Sequence, residues 1–311
     1  AVRAEPRAAE LADDLPSPRV QQVRSADGTA LHVEVHGPED APTVVLSHGW
    51  TCAIRFWTPQ LRRLATTHRV VAYDQRGHGR SGTPHAGGFG AQALADDLSA
   101  VLRATVHPEH PAVVVGHSMG AMSIVAWAGE HPDEVRQYAA AVLLASTGVD
   151  DLVSDSLLVR LPTGWRRTRA LVGRLVLTAP GPMGPRSPLT RRGVRYVALS
   201  AGASPAQVEF CERIILGCAP RARTGWGRAL TSLDLRQAVA RLDVPAIVLV
   251  GGADRLTPPV HARRLAADLP RLERLIELPG VGHMSPVEQP EAVYDEIRRL
   301  VDTFTTNGAA A

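Results

Sequence analysis

Lysine is absent from this chain. All 34 basic residues are arginine, which excludes a Schiff-base lysine and a Gly-Lys-Ser phosphate loop, and two large cofactor classes go with them. Cysteine is scarce. Cys52, Cys211 and Cys218 are too few and too scattered for a disulfide framework, and no Cys-x-x-Cys or Cys/His metal spacing occurs, so small buried thiols are the expectation. Long apolar runs are missing too. The longest, such as AAAVLLAS at 139–146, match a buried strand and fall far short of the ~20 residues that cross a bilayer, so the visible chain is not read as an integral membrane protein.

What is present describes a folded chain. Its 311 residues are 45% hydrophobic and 21% charged, with mean hydropathy near zero, an ordinary globular composition long enough for a sizeable core. The chain begins at Ala1, and AVRAEPRAAELADDLPSPRV mixes Ala, Pro and charge without apolar periodicity or the charged-then-apolar pattern of a signal peptide. Residues 1–18 and 306–311 are therefore expected as tails. The compartment stays open: cytoplasmic as given, or exported or anchored if an upstream segment has been removed.

The net charge of +3 is unevenly spread. Residues 151–236 hold 14 arginines against five acids, and the remainder 20 against 26. No nucleic-acid reading motif accompanies the basic segment, so a nucleic-acid partner is not expected. Peripheral contact with an anionic lipid surface, or an acidic substrate, is the expectation the basicity raises. Oligomeric state is left open.

RVQQVRSADGTALHVEVHG (19–37) carries two alternating runs around Asp27-Gly28, a hairpin signal. Short, nearly unbroken apolar runs then recur at 43–49, 69–75, 112–118, 140–147, 246–254 and 275–280, the size of strands buried on both faces. Helical patterns lie between most of them: FWTPQLRRLATT, FGAQALADDLSAVLRATV, AMSIVAWAGEHP, PPVHARRLAADLP and PEAVYDEIRRLVDTF. That alternation predicts an α/β fold with a mostly parallel sheet covered by helices on both faces, and ligands at the carboxyl ends of the strands. The rhythm breaks once. Residues 150–236 lack strand-like runs and are expected as a helical lid inserted after the sixth strand, with 19–149 and 237–305 forming the core.

In AVVVGHSMG (112–120), Gly116 and Gly120 flank Ser118 between a strand and a helix, the context a nucleophile elbow requires. The pentapeptide alone also describes an ordinary glycine-rich turn, so partners decide. A serine hydroxyl needs a base, and the base needs a carboxylate to hold its tautomer. IVLVGGADRLTPP delivers Asp254 past a strand and LPGVGHMSPVEQP delivers His283 before the last helix, giving the order Ser, acid, His. Asp150 and Asp151 follow the preceding core strand and compete with Asp254. An oxyanion would need two N–H donors: that of Met119, opening a helix, and that of Trp50, in the loop after an early strand where Gly49 lets the chain turn.

RGHGRSG (76–82) contains Gly-x-Gly-x-x-Gly, but Pro84 interrupts the helix a dinucleotide loop must open, and Asp96 and Asp97 lie mid-helix, so a structural turn is expected. VHPEHP (106–111) reads as a solvated loop rather than a metal site. Trp165, Phe210, Trp226 and Met183 are candidates either for an acyl pocket or for the core of the inserted segment.

SHGW, YDQRGHGRSGTP, GHSMG, GGADRLTP and GVGHMSPVEQPE, in this order and spacing over about residues 20–305, resemble the α/β-hydrolase superfamily, specifically its capped serine esterase, lipase and haloperoxidase-like branch. The resemblance implies an eight-stranded sheet, a triad of Ser118, Asp254 and His283, an oxyanion hole from the N–H groups of Trp50 and Met119, and no cofactor or metal. Epoxide hydrolases and haloalkane dehalogenases of this fold carry Asp at the elbow, and position 118 is Ser. The expected activity is cleavage of a small-molecule carboxylic ester through an acyl-enzyme. Thioesterase, carbon-carbon bond hydrolase and perhydrolase readings share the triad, and a catalytically silent ligand receptor on the same scaffold is the non-enzyme alternative.

Overall fold

Residues 11, 15, 17–157, 166–181 and 183–305 are described by the computed structural model of the chain. The antiparallel opening follows from Asp27-Gly28. Gly28 takes φ +83°, a left-handed conformation without penalty for glycine, and Asp27 Oδ1 accepts the Thr29 N–H at 3.0 Å. That turn joins β1 (Arg19–Arg24) to β2 (Ala30–His36), with Arg24 opposite Ala30. β1 is the sheet edge, mostly exposed and arginine at both ends, a composition that discourages pairing with another chain.

β3 (Thr43–Ser47), β4 (Arg69–Tyr73), β5 (Ala112–His117), β6 (Ala139–Ala145), β7 (Ala246–Gly251) and β8 (Leu272–Leu278) complete, among the described residues, one eight-stranded sheet ordered β1-β2-β4-β3-β5-β6-β7-β8. From β3 to β8 the pairing is parallel. The helices are α1 (Thr58–Leu64), α2 (Ala91–Thr105), α3 (Met119–Glu130), α4 (Pro132–Tyr138), α5 (Arg166–Thr178), α6 (Pro188–Ala198), α7 (Pro205–Leu216), α8 (Pro220–Leu230), α9 (Arg236–Val239), α10 (Pro259–Asp268), α11 (Ser285–Glu288) and α12 (Pro290–Phe304).

Both sheet faces are covered. Val44 and Leu46 of β3 pack with Leu61 of α1 and Ile297 of α12, whereas Val45 joins Leu98 of α2 and Ile124 of α3. The two-residue period of a strand sends neighbours to opposite faces, and burying both explains the unbroken apolar runs. The chain leaves β3 for β4 on one side and comes back to β5 on the other. The loops after β3 and β5 therefore part at their carboxyl ends and open a crevice there.

Three local features depart from the sequence reading. β8 starts at Leu272, three residues before the expected start, because on an edge strand Glu273 and Arg274 face solvent and mask the apolar pattern. The seven-residue α4, opened by Pro132 at its first position, is too short to register as a periodicity. Within the expected N-terminal tail, Leu11 is buried against the core.

Between β6 and β7 the described residues form α5 to α9 and no strand. α6 and α7 begin alike, at Ser187-Pro188 and Ser204-Pro205, with the serine Oγ accepting the N–H of Thr190 at 3.1 Å and of Gln207 at 3.3 Å. These capping boxes satisfy amides that the first turn leaves open. Gln207 also donates its side-chain amide to the Val287 carbonyl at 2.9 Å, which ties the inserted segment to the chain following β8.

Candidate active site

The strand-to-helix turn between β5 and α3 is strained at one residue. Ser118 has φ 52° and ψ −119°, costly for a residue with a Cβ and kept only where the surroundings over-determine it. They do so here. Ser118 N–H donates to the Ala145 carbonyl at 2.8 Å, and its own carbonyl accepts from Ala121 N–H at 2.9 Å and Thr147 Oγ1 at 3.0 Å. The flanking glycines permit the turn: a Cβ at Gly120 would lie 2.0 Å from the Ser47 carbonyl oxygen, and one at Gly116 would lie 2.5 Å from the Ala121 backbone. Gly120→Ala is accordingly expected to destabilise the protein by about 3 kcal/mol or more, because backbone and not a flexible side chain blocks the added methyl. A urea-unfolding midpoint equal to wild type would show that the turn can open.

Asp254 and His283 meet at this end of the sheet. Asp254 Oδ1 accepts the N–H groups of Leu256 (2.8 Å) and Thr257 (3.0 Å), and Oδ2 accepts Thr257 Oγ1 (2.9 Å) and His283 Nδ1 (2.8 Å). Four donors thus hold one buried carboxylate in a single orientation. With Nδ1 committed, His283 keeps Nε2 as its basic nitrogen, and His283 and Ser118 line the same cavity. Of the competing acids, Asp150 lies instead 3.5 Å from the Arg236 guanidinium.

The His283 loop is braced from several elements. The Ala198 carbonyl, ending α6, accepts the N–H groups of His283 (3.0 Å) and Met284 (3.1 Å). The buried Glu288 carboxylate accepts Gly282 N–H (3.0 Å) and Ser200 N–H (2.9 Å), and burial raises its pKa above the ordinary carboxylate value. His117 donates from Nε2 to the His283 carbonyl at 2.9 Å, its ring packed between Phe56 and His283. Burial pushes the His117 pKa well down, which keeps that imidazole neutral with its proton on Nε2. Thr257, His117 and Glu288 were not singled out from the sequence. Each lies inside a quoted motif, but the contacts that join His117 to His283 and Glu288 to Ser200 span 166 and 88 positions and leave no local signal.

The loop after β3 runs hard against the nucleophile turn. A Cβ at Gly49 would lie 2.9 Å from His117 Nδ1 and 3.2 Å from Ser118 Cβ. Two buried histidines hold this loop. His48 donates from Nδ1 to the Gly49 carbonyl (2.8 Å) and accepts Gln75 N–H (3.0 Å), and His78 accepts Thr51 N–H (3.1 Å). Trp50 N–H donates to no group among the described residues, and Met119 N–H belongs to the first turn of α3, whose amides have no intrahelical acceptor.

Burial lowers the pKa of His48 to about 4 and of His78 to about 3. An unfolded chain, with histidine near 6.5, takes up those protons first. Stability is therefore complete above about pH 6.5 and is lost as pH falls towards the folded values, by up to roughly 2 kcal/mol per histidine between pH 6.5 and 5. Thermal unfolding followed at pH 7 and pH 5 measures this. Equal midpoints would mean that the two rings are protonated in the folded protein.

RGHGRSG forms a structural turn. Asp74 accepts Ile54 N–H (2.8 Å) and Arg80 N–H (2.9 Å), and a Cβ at Gly79 would lie 2.1 Å from Asp74 Oδ2. Asp97, at the distance a dinucleotide loop would set for its ribose-binding acid, is instead held bidentately by Arg76 at 2.7 and 2.6 Å.

The cavity over Ser118 and His283 measures about 320 Å³. Its wall is largely aliphatic, with Leu177 of α5, Val194 and Val197 of α6, Ile215 of α7 and Leu230 of α8. Of the four candidate liners, Met183 faces the cavity. Trp226 is instead core, donating its indole N–H to the Arg76 carbonyl at 3.1 Å and meeting Phe89 edge-on. Phe210 is buried in the cluster on the α12 face of the sheet, and Trp165 lies outside the described residues. The three cysteines are free thiols raised in pKa by burial, Cys218 to about 12, unsuited to nucleophilic duty. No group of three His, Cys, Asp or Glu among the described residues could hold a metal ion, and no described helix is long and apolar enough to cross a membrane.

A parallel sheet with a strained serine at the end of its central strand, and a histidine-carboxylate pair beyond later strands, is the architecture of an α/β hydrolase. The chain belongs to the Alpha/beta hydrolase family, whose pattern its residues 44–296 match. It is 27% identical over 283 residues to the bifunctional esterase/perhydrolase DCH of Acinetobacter calcoaceticus, covering 90% of this chain and 98% of that protein. In fold it is similar to the esterase EaEST of Exiguobacterium antarcticum (TM-score 0.75, 19% identity, 92% of this chain and 100% of that one). It is similar also to the enol-lactonase of Burkholderia xenovorans LB400 (TM-score 0.71, 24% identity, 91% and 100%).

Proposed function

We propose that the protein is a serine hydrolase that cleaves a carboxylic ester through an acyl-enzyme. The observation that carries this reading is the 2.8 Å contact of His283 Nδ1 with Asp254, behind an imidazole that shares its cavity with a strained Ser118. His283 Nε2 takes the hydroxyl proton as Ser118 Oγ bonds to the ester carbonyl carbon. The carbonyl oxygen gains negative charge, which the N–H groups of Trp50 and Met119 receive. Collapse of this intermediate breaks the bond to the alkoxy group, and His283 returns the proton to the departing alcohol. Water then repeats the sequence on the acyl-enzyme, releasing the acid and restoring Ser118. In this reading α5 to α8 form a lid whose aliphatic wall receives the acyl or alkyl arm.

A relative named both esterase and perhydrolase favours an ester as the group attacked and leaves peroxide open as an alternative acceptor for the acyl-enzyme. A fluorophosphonate probe tests the core of the proposal, since it labels an activated serine and not an ordinary hydroxyl. Wild type is expected to be labelled at Ser118 and Ser118→Ala not at all. Absence of labelling in the wild type would instead favour a silent receptor. p-Nitrophenyl esters of increasing chain length, set against acyl-CoA and vinylogous diketone substrates, with and without hydrogen peroxide, separate ester cleavage from the thioesterase, carbon-carbon and perhydrolase readings.

A further inference from the structure

The cavity holds one charged side chain that nothing in the esterase reading requires. Arg223, on α8, is 6% exposed and lines the cavity together with Ser118 and His283. Among the described residues it is the sole Arg, Asp or Glu in that lining. Arg186 and Arg191 of the same segment share Glu209 and Glu212, and Arg195 and Arg221, which bond backbone carbonyls, are not among the residues that line the cavity. Arg223 pairs with no carboxylate among the described residues. Its guanidinium donates from Nη2 to the Gly181 carbonyl, and one neutral acceptor leaves most of its five N–H donors uncommitted.

Two constraints keep it there. The Arg223 carbonyl accepts the Trp50 indole N–H at 3.0 Å, which fixes α8 against the loop that follows β3. Beyond Arg223 the inserted segment presents mostly aliphatic side chains to the cavity, Leu177, Val194, Val197 and Ile215 among them, with Thr190 as its one hydroxyl among the described residues, and none of these groups carries a charge. Holding a guanidinium in an apolar wall without a counter-charge is unfavourable. The deficit disappears if the ligand brings the anion, and a carboxylate fits the planar fork bidentately.

We propose that the pocket takes esters bearing an anionic group, a carboxylate in the first instance, on the arm away from the scissile carbonyl, and that Arg223 is the residue that selects them. This rests on the serine-hydrolase reading for the reaction and on Arg223 alone for the charge preference. An apolar linker between ester and carboxylate would lie along the aliphatic wall while the carboxylate supplies the counter-ion that Arg223 does not find among the described residues.

The test compares matched pairs: mono-p-nitrophenyl glutarate against p-nitrophenyl pentanoate, with the charge on the acyl arm, and 4-butyryloxybenzoate against phenyl butyrate, with the charge on the leaving group. In at least one pair the wild type is expected to favour the charged ester in kcat/KM. Arg223→Gln lowers that charged-to-neutral ratio by about 10- to 100-fold, the worth of a charge-assisted hydrogen bond, and Arg223→Lys retains part of it. Equal losses on charged and neutral esters, or an unchanged ratio in both pairs, would assign Arg223 to holding the Gly181 loop and overturn the proposal. Binding of monomethyl glutarate to Ser118→Ala protein by calorimetry, and its weakening in Ser118→Ala/Arg223→Gln, reads the same contact without turnover. Hydrolysis and probe labelling that persist without a charge preference would leave the hydrolase reading standing and remove this one. Charge-dependent binding without labelling would do the reverse.

Discussion

Ser118→Ala is expected to lower kcat/KM for a p-nitrophenyl ester by about 10⁴- to 10⁶-fold, with what remains coming from the oxyanion donors and substrate binding. The size of the effect follows from what the substitution removes. Alanine keeps the Cβ, and with it the strain at φ 52°. It also keeps the backbone hydrogen bonds to Ala145, Ala121 and Thr147 that hold the turn. The missing oxygen is the atom that bonds to the carbonyl carbon, so no acyl-enzyme can form. The melting temperature is expected to stay within a degree or two of wild type, because no structural contact is deleted. A loss of activity below tenfold, in protein that folds normally, would remove Ser118 from the nucleophile role.

The difference between what the sequence discloses and what it conceals is a matter of distance along the chain. The hairpin at Asp27-Gly28 and the strands at 43–47, 69–73 and 112–117 are legible because alternation and apolar runs are local consequences of which face is buried. Ser118 is legible for a related reason: a strand, two glycines and a helix within a dozen residues leave few conformations for the serine between them. Asp254 and His283 stand out through chain order, since the carboxyl ends of parallel strands converge whatever lies between them.

Arg223 illustrates the opposite case. As sequence it is one of 14 arginines in a basic segment, and nothing local separates it from Arg186 or Arg191. The packing of α8 against the Trp50 loop turns it inward, and that packing depends on residues about 170 positions apart. Phe210 and Trp226 fail as pocket candidates for the same reason. An aromatic residue in a small helical layer can face the cavity or the core, and for Trp226 the Arg76 carbonyl, 150 residues away, decides it. The start of β8 is hidden differently, by an edge strand whose charged face carries no apolar signature.

Asp254→Asn is expected to lower kcat/KM by about 10³- to 10⁴-fold with little change in the position of any heavy atom. The aspartate accepts four hydrogen bonds, and the two at Oδ1 come from the rigid backbone amides of Leu256 and Thr257. An asparagine has one acceptor oxygen, and the amides claim it, since an NH₂ group there would face two donors. The NH₂ group then sits where Oδ2 was, opposite His283 Nδ1 and the Thr257 hydroxyl. The hydroxyl rotates to accept from it; the imidazole can accept only by moving its own proton from Nδ1 to Nε2. That tautomer presents an N–H, not a lone pair, to Ser118, and the base is lost although every side chain remains in place. Asp150→Asn and Asp151→Asn change neither contact of His283, and each is expected to stay within about twofold of wild type. Kinetics of the three variants on one p-nitrophenyl ester decide between the acids: a large loss in Asp150→Asn or Asp151→Asn with Asp254→Asn near wild type would move the orienting carboxylate to the end of β6.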